Sequence, residues 1–333
     1  MNVVSFRLPN ADSPLIYEVG RPIVYKDNPS TDGFIISPFE KEGDILFYPF
    51  KKQLAHIPDD TSINLSSTSS SASLESPWNY QEYVAEAIRK IKSGVFTKVV
   101  TSSRKIMKIS VSAYSLFEKL VGKYPDAFVF LISTEEFGTW VGASPELLLQ
   151  HESGKITSMS LAGTRPVDED KTQWDFKNRI EQELVTRHIV EVLENAGLKC
   201  KVDAPETVRA GKLEHIRSRI ECDASDALDY ALLLKRLSPT PALGGFPQLP
   251  ALDFIKRKEG KRELYGGFAG PMDKSGNFDL FVLIRCAKLL GAEALLFAGG
   301  GITELSDPVE EDEEIRNKFG TIESIFFEKS LLS

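Results

Sequence analysis

The sequence predicts an α+β protein built on large antiparallel β-sheets, with helices packed outside them. Three observations predict this class. Strand-like runs follow one another directly, helices interrupt them without regular βαβ alternation, and the glycine runs lack the context of a dinucleotide or P-loop motif. The chain has 333 residues, which is enough for a large core in one or two domains.

The first 64 residues are predicted to be a strand-rich segment that joins the core sheet. Its apolar runs PLIYEV, GFIISPF and DILFYPF are separated by Gly, Pro and Asp. Residues 65–77 contain the serine-rich stretch SSTSSSASLES and are predicted to form a flexible connector. Residues 78–333 are predicted to form the main domain.

The main domain is predicted to begin with a helix over YQEYVAEAIRKIKSG, which has helical apolar spacing and ends on Gly94. The next elements are a strand (FTKVVTSSRKIMKISV), a helix (SAYSLFEKLVGKYP) and four strands (AFVFLIS, TWVGAS, ELLLQHE, KITSMSLAGT). Two long helices are expected near residues 170–197 and 225–237, with mixed sequence between them. A Pro/Gly-rich passage and a short helix precede three strands (ELYGGFAG, FDLFVLIRCAKLLG, EALLFAGGG). A glycine turn at Gly299–Gly301 then leads to a final helix that starts near Pro308.

Composition excludes several classes of function. A net charge of −8 and a pI near 5.3 disfavour non-specific binding to nucleic acid or to an anionic membrane. No apolar run approaches the ~20 residues of a membrane span, and the N-terminus does not resemble a signal peptide. Cys200, Cys222 and Cys286 form no CxxC pair, so neither a disulfide framework nor a zinc site is predicted. We therefore expect a cytoplasmic protein.

The charged residues of SDPVEEDEEIRNK separate onto different faces when the run is placed on a helix. Glu311, Glu314 and Lys318 then share one face, whereas Asp312 and Glu313 point elsewhere. Like charges on one face cost stability unless a cation lies between them. The run therefore indicates either a cation site or, as the alternative, a solvated acidic surface.

Three further residues are candidates for chemistry. Glu181 lies at the edge of the apolar face of a predicted helix, where an ionised carboxylate is costly unless it is paired or metal-bound. Glu146 follows a proline between apolar strands, a setting that suits a general acid. Lys98 begins an apolar strand, and removal from water favours the neutral, basic form of a lysine. The alternative for Glu181 is a glutamate at a helix interface, and for Glu146 a solvated glutamate in a turn. The alternative for Lys98 is a lysine that extends to solvent.

Taken together, the motifs resemble those of the chorismate-utilising enzymes, which include anthranilate, aminodeoxychorismate, isochorismate and salicylate synthases. The resemblance runs from about residue 79 to the C-terminus, and so implies that 78–333 is a chorismate-binding catalytic domain of the anthranilate synthase component I type, with its site in a cleft. The motifs, in chain order, are KVVTSSR, GASPELLL, SLAGTRP, KNRIEQELV, SPTPALGGFP, YGGFAGPMD, FVLIRCA, AGGGI and SDPVEEDEEIRNK.

This resemblance implies a Mg²⁺ ion held by Glu181 and Glu314, with Glu311 nearby, and all-oxygen ligation is what Mg²⁺ prefers. It implies that chorismate is the substrate, with Arg285 and Lys318 pairing its pyruvyl carboxylate. His215 matches a family histidine near the ring, although an interface histidine is the alternative. The implied substrate-binding residues are Ala162, Gly163, Thr164, His215, Tyr265, Arg285, Gly300, Gly301 and Lys318.

Two positions distinguish the members of the family. Isochorismate and salicylate synthases carry a water-activating lysine where this chain has Lys98, whereas ammonia-using anthranilate synthases carry glutamine. Aminodeoxychorismate synthases carry a nucleophilic lysine where this chain has Ala162. The resemblance thus implies an isochorismate synthase in which Lys98 is the base and Glu146 is the acid. Salicylate synthase is the alternative, and a non-catalytic chorismate-binding protein is a more distant one.

Three positions depart from the family pattern. Ser103 stands where many relatives have arginine, and Gln182 and Ser238 each stand where many have histidine. These departures favour a menaquinone-type enzyme over a siderophore-type one. We expect no glutamine amidotransferase subunit, and a monomer or a weak homo-oligomer.

Overall fold

The computed structural model describes residues 1–26, 29–56, 74–167, 173–210, 213–225 and 227–326. Residues 65–73 of the predicted connector lie outside this description. The predicted α+β class is confirmed: every strand pairing among the described residues is antiparallel, and helices cover the outer faces of the sheets. No helix in the described part of the chain has both the length and the apolar character that crossing a bilayer requires.

The helices begin where side chains can cap them. Asn79, Ser112, Asp175 and Asp229 each accept a hydrogen bond from a backbone N–H of the first turn, which satisfies a donor that the helix itself leaves free. The helices are α1 (Tyr80–Lys92), α2 (Ala113–Lys123), α3 (Phe176–Asn195), α4 (Tyr230–Leu237), α5 (Gln248–Glu259) and α6 (Pro308–Phe326).

The strands form two large sheets. They are β1 (Val3–Arg7), β2 (Leu15–Val19), β3 (Ile23–Val24), β4 (Gly33–Ser37), β5 (Leu46–Gln53), β6 (Lys98–Lys108), β7 (Phe128–Thr134), β8 (Gly138–Ser144), β9 (Leu147–Glu152), β10 (Lys155–Pro166), β11 (Cys200–Val202), β12 (Glu206–Ala210), β13 (Leu213–Asp223), β14 (Gly245–Phe246), β15 (Phe268–Met272), β16 (Phe278–Val282), β17 (Cys286–Leu290) and β18 (Glu293–Ile302).

The first sheet has the order β5-β2-β1-β7-β8-β17-β18-β6-β14. The second sheet runs from β5 through β4, β15, β16, β9 and β10 to β13, and β13 also pairs with β11 and β12. The N-terminal strands are part of both sheets, because β1 pairs with β7 and β4 pairs with β15.

Alternation along the strands places the core on both faces of the first sheet. In β7, Phe128, Phe130 and Ile132 pack between the two sheets, whereas Val129 and Leu131 belong to the core that this sheet shares with α1, α2, α5 and α6. The second sheet packs its outer face on α3 and α4. Coverage on both faces explains why AFVFLIS is apolar at nearly every position.

Two parts of the sequence-based assignment were wrong. The run FDLFVLIRCAKLLG is two strands, β16 and β17, and ELYGGFAG is a strand only from Phe268 onward. The mixed sequence between α3 and α4 forms strands β11 to β13, and α4 is a short helix that begins at Tyr230 and not near residue 225. Pairing across the sheet decides these elements, and a single apolar run carries no signal for the point at which a chain moves from one sheet to the next.

The predicted glycine turn was also wrong. Gly299–Gly301 continue strand β18 and pair with Thr101, Val100 and their neighbours on β6, so the final helix starts several residues later. Cys200 and Cys222 are directly opposite each other on β11 and β13, with their Sγ atoms 2.7 Å apart as free thiols.

Candidate active site

The chain crosses between the two sheets at two adjacent points, and each crossing carries a charged side chain. Glu146 lies between β8 in the first sheet and β9 in the second, and Arg285 lies between β16 and β17. The two crossings are joined by backbone hydrogen bonds, from Val282 to the Glu146 carbonyl and from Ala143 to the Arg285 carbonyl. Arg285 has φ +51°, a strained backbone conformation that is common at functional sites.

Lys98 lies at the start of β6 and is 2% exposed, which excludes a lysine that extends to solvent. Its Nζ is 3.9 Å from Glu181 Oε2 on α3. Gly301, on the neighbouring strand, leaves this space open, because a Cβ there would lie 3.2 Å from both Glu181 Oε1 and Lys98 Cε. A lysine and a carboxylate thus face each other across a glycine.

Glu146 is 4% exposed and lies within electrostatic range of Lys98 and Arg285. Burial raises the pKa of its carboxyl to about 7, although the two neighbouring cations act to lower it. A carboxyl with this pKa is partly protonated at neutral pH. It can therefore give a proton to a leaving group, as a general acid must.

His215 lies beside Arg285 and is held in one tautomer by its partners. Its Nδ1 is 3.0 Å from the Gly163 carbonyl, which only accepts, so Nδ1 carries the proton. Its Nε2 is then an acceptor, 3.4 Å from Arg285 Nη2. Burial, together with the charge of Arg285, lowers the pKa of His215 to about 4, so the ring is neutral near pH 7.

Gly163 and Thr164 line the same region from β10. Gly163 has φ +73°, and the Thr164 N–H donates to Asn178 Oδ1 on α3. Ala162 lies just before them, opposite Ile216 on β13, and packs against the core of the second sheet.

Tyr265 and Lys318 both lie near Gly299, in the glycine run of β18. Tyr265 is buried, stacks on Phe297, and its hydroxyl would be 2.7 Å from a Cβ at Gly299. Lys318 Nζ donates to the Gly299 carbonyl at 2.7 Å and pairs with Glu314 at 2.6 Å.

The two acidic residues of α6 that the helix-face argument selected are paired with lysines. Glu311 is 3% exposed and accepts a 2.9 Å hydrogen bond from Lys177 on α3, whereas Glu313 is exposed. Burial acts to raise the pKa of Glu314, but Lys318 and then Lys177 outweigh it and the pKa is lowered. In the described ranges, no three acidic, histidine or cysteine side chains are close enough to hold a metal ion as they stand.

The structure thus brings the predicted residues into one region where the sheets cross and α3 and α6 approach them. The predicted face of α6 and the burial of Glu146 and Lys98 are confirmed, whereas the catalytic and ligand roles stay predictions. A separate cavity of about 560 Å³, lined by Phe39, Leu249 and others, contains none of these residues. Side-chain chemistry, and not cavity size, identifies the site.

Sequence reasoning missed two residues of this region. Lys177 lies four residues before Glu181, a helical spacing that could have revealed it. Tyr80 comes from α1, with its hydroxyl 2.7 Å from Thr101 Oγ1 and facing Gly300, and no local pattern signals this approach. Gln182, noted only as a departure, is buried and donates from Nε2 to hydroxyls on β10, β13 and its own helix.

Substitution of Gly301 by alanine should abolish most activity while leaving the fold intact. The backbone of Gly301 has no positive φ, so the new methyl strains only the space between Lys98 and Glu181. The control is Gly320→Ala on α6, where a Cβ would meet nothing within 4 Å. Turnover and melting temperature should be measured for both variants. Equal activity of the two proteins would contradict the placement of the site at Gly301.

Comparison with known proteins identifies the family. Residues 47–326 match the sequence model of the family described as "Chorismate binding enzyme", so the match begins well before residue 79. The chain is 34% identical over 262 residues to isochorismate synthase EntC of Escherichia coli K12, covering 74% of this chain and 66% of the relative. It is 31% identical over 252 residues to isochorismate synthase MenF of Bacillus subtilis, covering 71% and 52%. The chain thus spans about half to two thirds of these relatives.

Solved structures share the fold. The menaquinone-specific isochorismate synthase MenF of Escherichia coli superposes with a TM-score of 0.80 at 21% identity, covering 98% of this chain and 89% of that one. Anthranilate synthase component I of Streptococcus pneumoniae superposes with a TM-score of 0.70 at 18% identity, covering 98% and 91%. By its sequence match and its fold, the chain belongs to the chorismate binding enzyme family.

Proposed function

We propose that this chain is an isochorismate synthase, which converts chorismate to isochorismate by attack of water at C2 and loss of the C4 hydroxyl. The observation that carries the proposal is a buried lysine, Lys98, within electrostatic range of a buried carboxyl, Glu146, whose pKa is about 7. The names of the EntC and MenF relatives support the same activity.

Lys98 is the proposed base. It takes a proton from water, whose oxygen bonds to C2 of the ring as the ring double bonds shift. Lysine at this position supports water as the nucleophile, since ammonia-using relatives carry glutamine there. The small side chain of Ala162 supports this choice, because alanine cannot attack the ring as a lysine could.

Glu146 is the proposed acid. Its protonated carboxyl donates to the C4 oxygen, and the C4–O bond breaks to release water. One water is consumed and one is released, so the reaction is an isomerisation. The proton taken up by Lys98 returns to Glu146 through solvent before the next turnover.

The substrate carries two carboxylates, and the site offers donors for both. Arg285 and Lys318 supply positive charge, while neutral His215 fixes the orientation of Arg285. In the described chain, β17 pairs with β18 only as far as Leu296, so one backbone edge of Gly299–Gly301 has no strand partner. This free edge can donate N–H groups to a substrate oxygen.

The residues present fit Mg²⁺. Glu181 Oε1 is buried and has no hydrogen-bond partner, and Glu311 and Glu314 offer further carboxylate oxygens, although the three side chains would have to move closer together to bind one ion. When bound, Mg²⁺ would neutralise these carboxylates and fix the ring carboxylate of the substrate. Glu181 and Glu314 are the proposed direct ligands, and Glu311 is proposed to lie near the ion.

A single incubation of the purified protein with chorismate and Mg²⁺ tests the proposal. We expect isochorismate without pyruvate. Salicylate fluorescence with pyruvate release would instead identify a salicylate synthase, and no product in the presence of bound chorismate would indicate a non-catalytic binding protein. We further propose that the product serves menaquinone or siderophore biosynthesis, with the departures at Ser103, Gln182 and Ser238 favouring menaquinone.

Substitution of Lys98 by glutamine should abolish isochorismate formation, because no group then takes the proton from water. High ammonium should give the wild-type enzyme little aminated product, since this position carries the water-activating lysine and not the glutamine of ammonia-using relatives. Lys105→Gln, a half-exposed lysine on the same strand, is the matched control and should behave as wild type. The products should be separated chromatographically. Wild-type turnover that prefers ammonia to water would refute the assignment of the base.

A further inference from the structure

Lys177 has no role in the chemistry described above, yet it lies inside the carboxylate cluster. It extends from α3, one turn before Glu181, and its Nζ donates to Glu311 Oε1 on α6 at 2.9 Å. The Glu311 side chain is 4% exposed and the Lys177 side chain is 33% exposed. The pair therefore joins α3 to α6, with the lysine partly exposed to solvent and the glutamate buried.

The position of Lys177 relates it to all three carboxylates. Spacing of four residues puts Lys177 and Glu181 on the same face of α3. The Lys177 ammonium also lies within electrostatic range of Glu181 and Glu314, in addition to its direct bond with Glu311. The Lys177 ammonium is thus bonded to one of the three carboxylates and attracted by the other two.

We propose that Lys177 is a built-in counterion of the carboxylate cluster, which holds Glu311 when no metal is bound and which Mg²⁺ must displace. This inference rests on the proposed function, because it takes the cluster as the magnesium site. Two cations in one small volume repel each other, so the Lys177–Glu311 pair has to break or swing aside before the carboxylates can take the metal.

Two consequences follow. Without metal, the ammonium stabilises acidic side chains that would otherwise repel one another across α3 and α6. With metal, the cost of breaking the pair weakens the apparent affinity, because only the fraction of molecules with an open pair is competent to bind. Removal of the Lys177 charge should therefore tighten metal binding.

The test is direct metal binding to the full chain without substrate. Mn²⁺ serves as the probe, free Mn²⁺ is read by electron paramagnetic resonance, and Mg²⁺ is then added to displace it. We expect Lys177→Met to lower the Mg²⁺ dissociation constant at least about tenfold relative to wild type, as expected if the open form is a minor population. Lys177→Arg should bind like wild type, because it keeps the charge.

The control for net charge is Lys105→Met. It removes one positive charge and one 2.6 Å ion pair, which Lys105 forms with Glu323. Glu323 is on α6, as Glu311 is, but away from the carboxylate cluster. Its metal affinity should equal that of wild type. Equal or weaker Mg²⁺ binding by Lys177→Met would overturn the inference while leaving the magnesium site intact. No metal binding by any of the proteins would overturn the magnesium assignment itself, and the inference with it.

Discussion

Replacement of Glu146 by glutamine is expected to lower kcat by about 10²–10⁴-fold, the usual contribution of a general acid. Glutamine keeps the shape of the side chain and can donate a hydrogen bond, but it has no acidic proton to transfer. Substrate binding should survive, because the proposed contacts of Arg285, Lys318 and the β18 backbone are with other parts of chorismate. KM should therefore change little while kcat falls, which is the behaviour of a group that acts chiefly in the transition state.

The pH profile gives an independent measurement of the same role. The acid must be protonated to act, and the pKa of Glu146 is about 7 in the free enzyme. Wild-type kcat/KM should thus fall as the pH rises through about 7, and this alkaline limb should be absent from Glu146→Gln. A variant with near-normal kcat and a raised KM would show that Glu146 binds substrate. His215 would not easily replace it as the acid, because a pKa of about 4 leaves its ring neutral.

Substitution of Glu181 or Glu314 by glutamine should each abolish Mg²⁺-dependent turnover. Both changes remove the charge of a proposed ligand, so the loss should exceed the roughly 10–100-fold typical of outer-shell residues. Neither should unfold the protein, because Glu181 has only its 3.9 Å pair with Lys98 to lose and the Glu314 pair with Lys318 is partly exposed. Turnover, Mn²⁺ binding and melting temperature should be measured together.

Glu313→Gln is the matched control for this prediction. It removes the same charge from the neighbouring position of α6, but its side chain is exposed and lies on another face of the helix. Activity and metal binding should both be unchanged. Equal losses from Glu313→Gln and Glu314→Gln would contradict the assignment of the metal site to one face of α6.

Local sequence determined much of this protein. Periodicity located α1, α2, α3 and α6, since helical spacing and capping are encoded within a few residues. The same spacing separated Glu311 and Glu314 from Glu313 without any knowledge of the fold. The ordered motifs identified the family, because the enzyme's chemistry constrains residue type at fixed points along the chain.

Tertiary structure decided those features that depend on contacts between residues far apart in the sequence. Glycines 299–301 form a strand and not a turn, because β6 supplies hydrogen bonds that no local pattern reveals. Arg285 takes its strained backbone where the chain passes from one sheet to the other, and that passage also puts it beside Glu146. The elevated pKa of Glu146 and the Lys177–Glu311 pair likewise arise from burial and from contact between elements far apart in sequence. The sequence thus determines which ionisable groups are present. Folding sets their electrostatic surroundings, because desolvation and charge proximity exist only once the sheets and helices have packed.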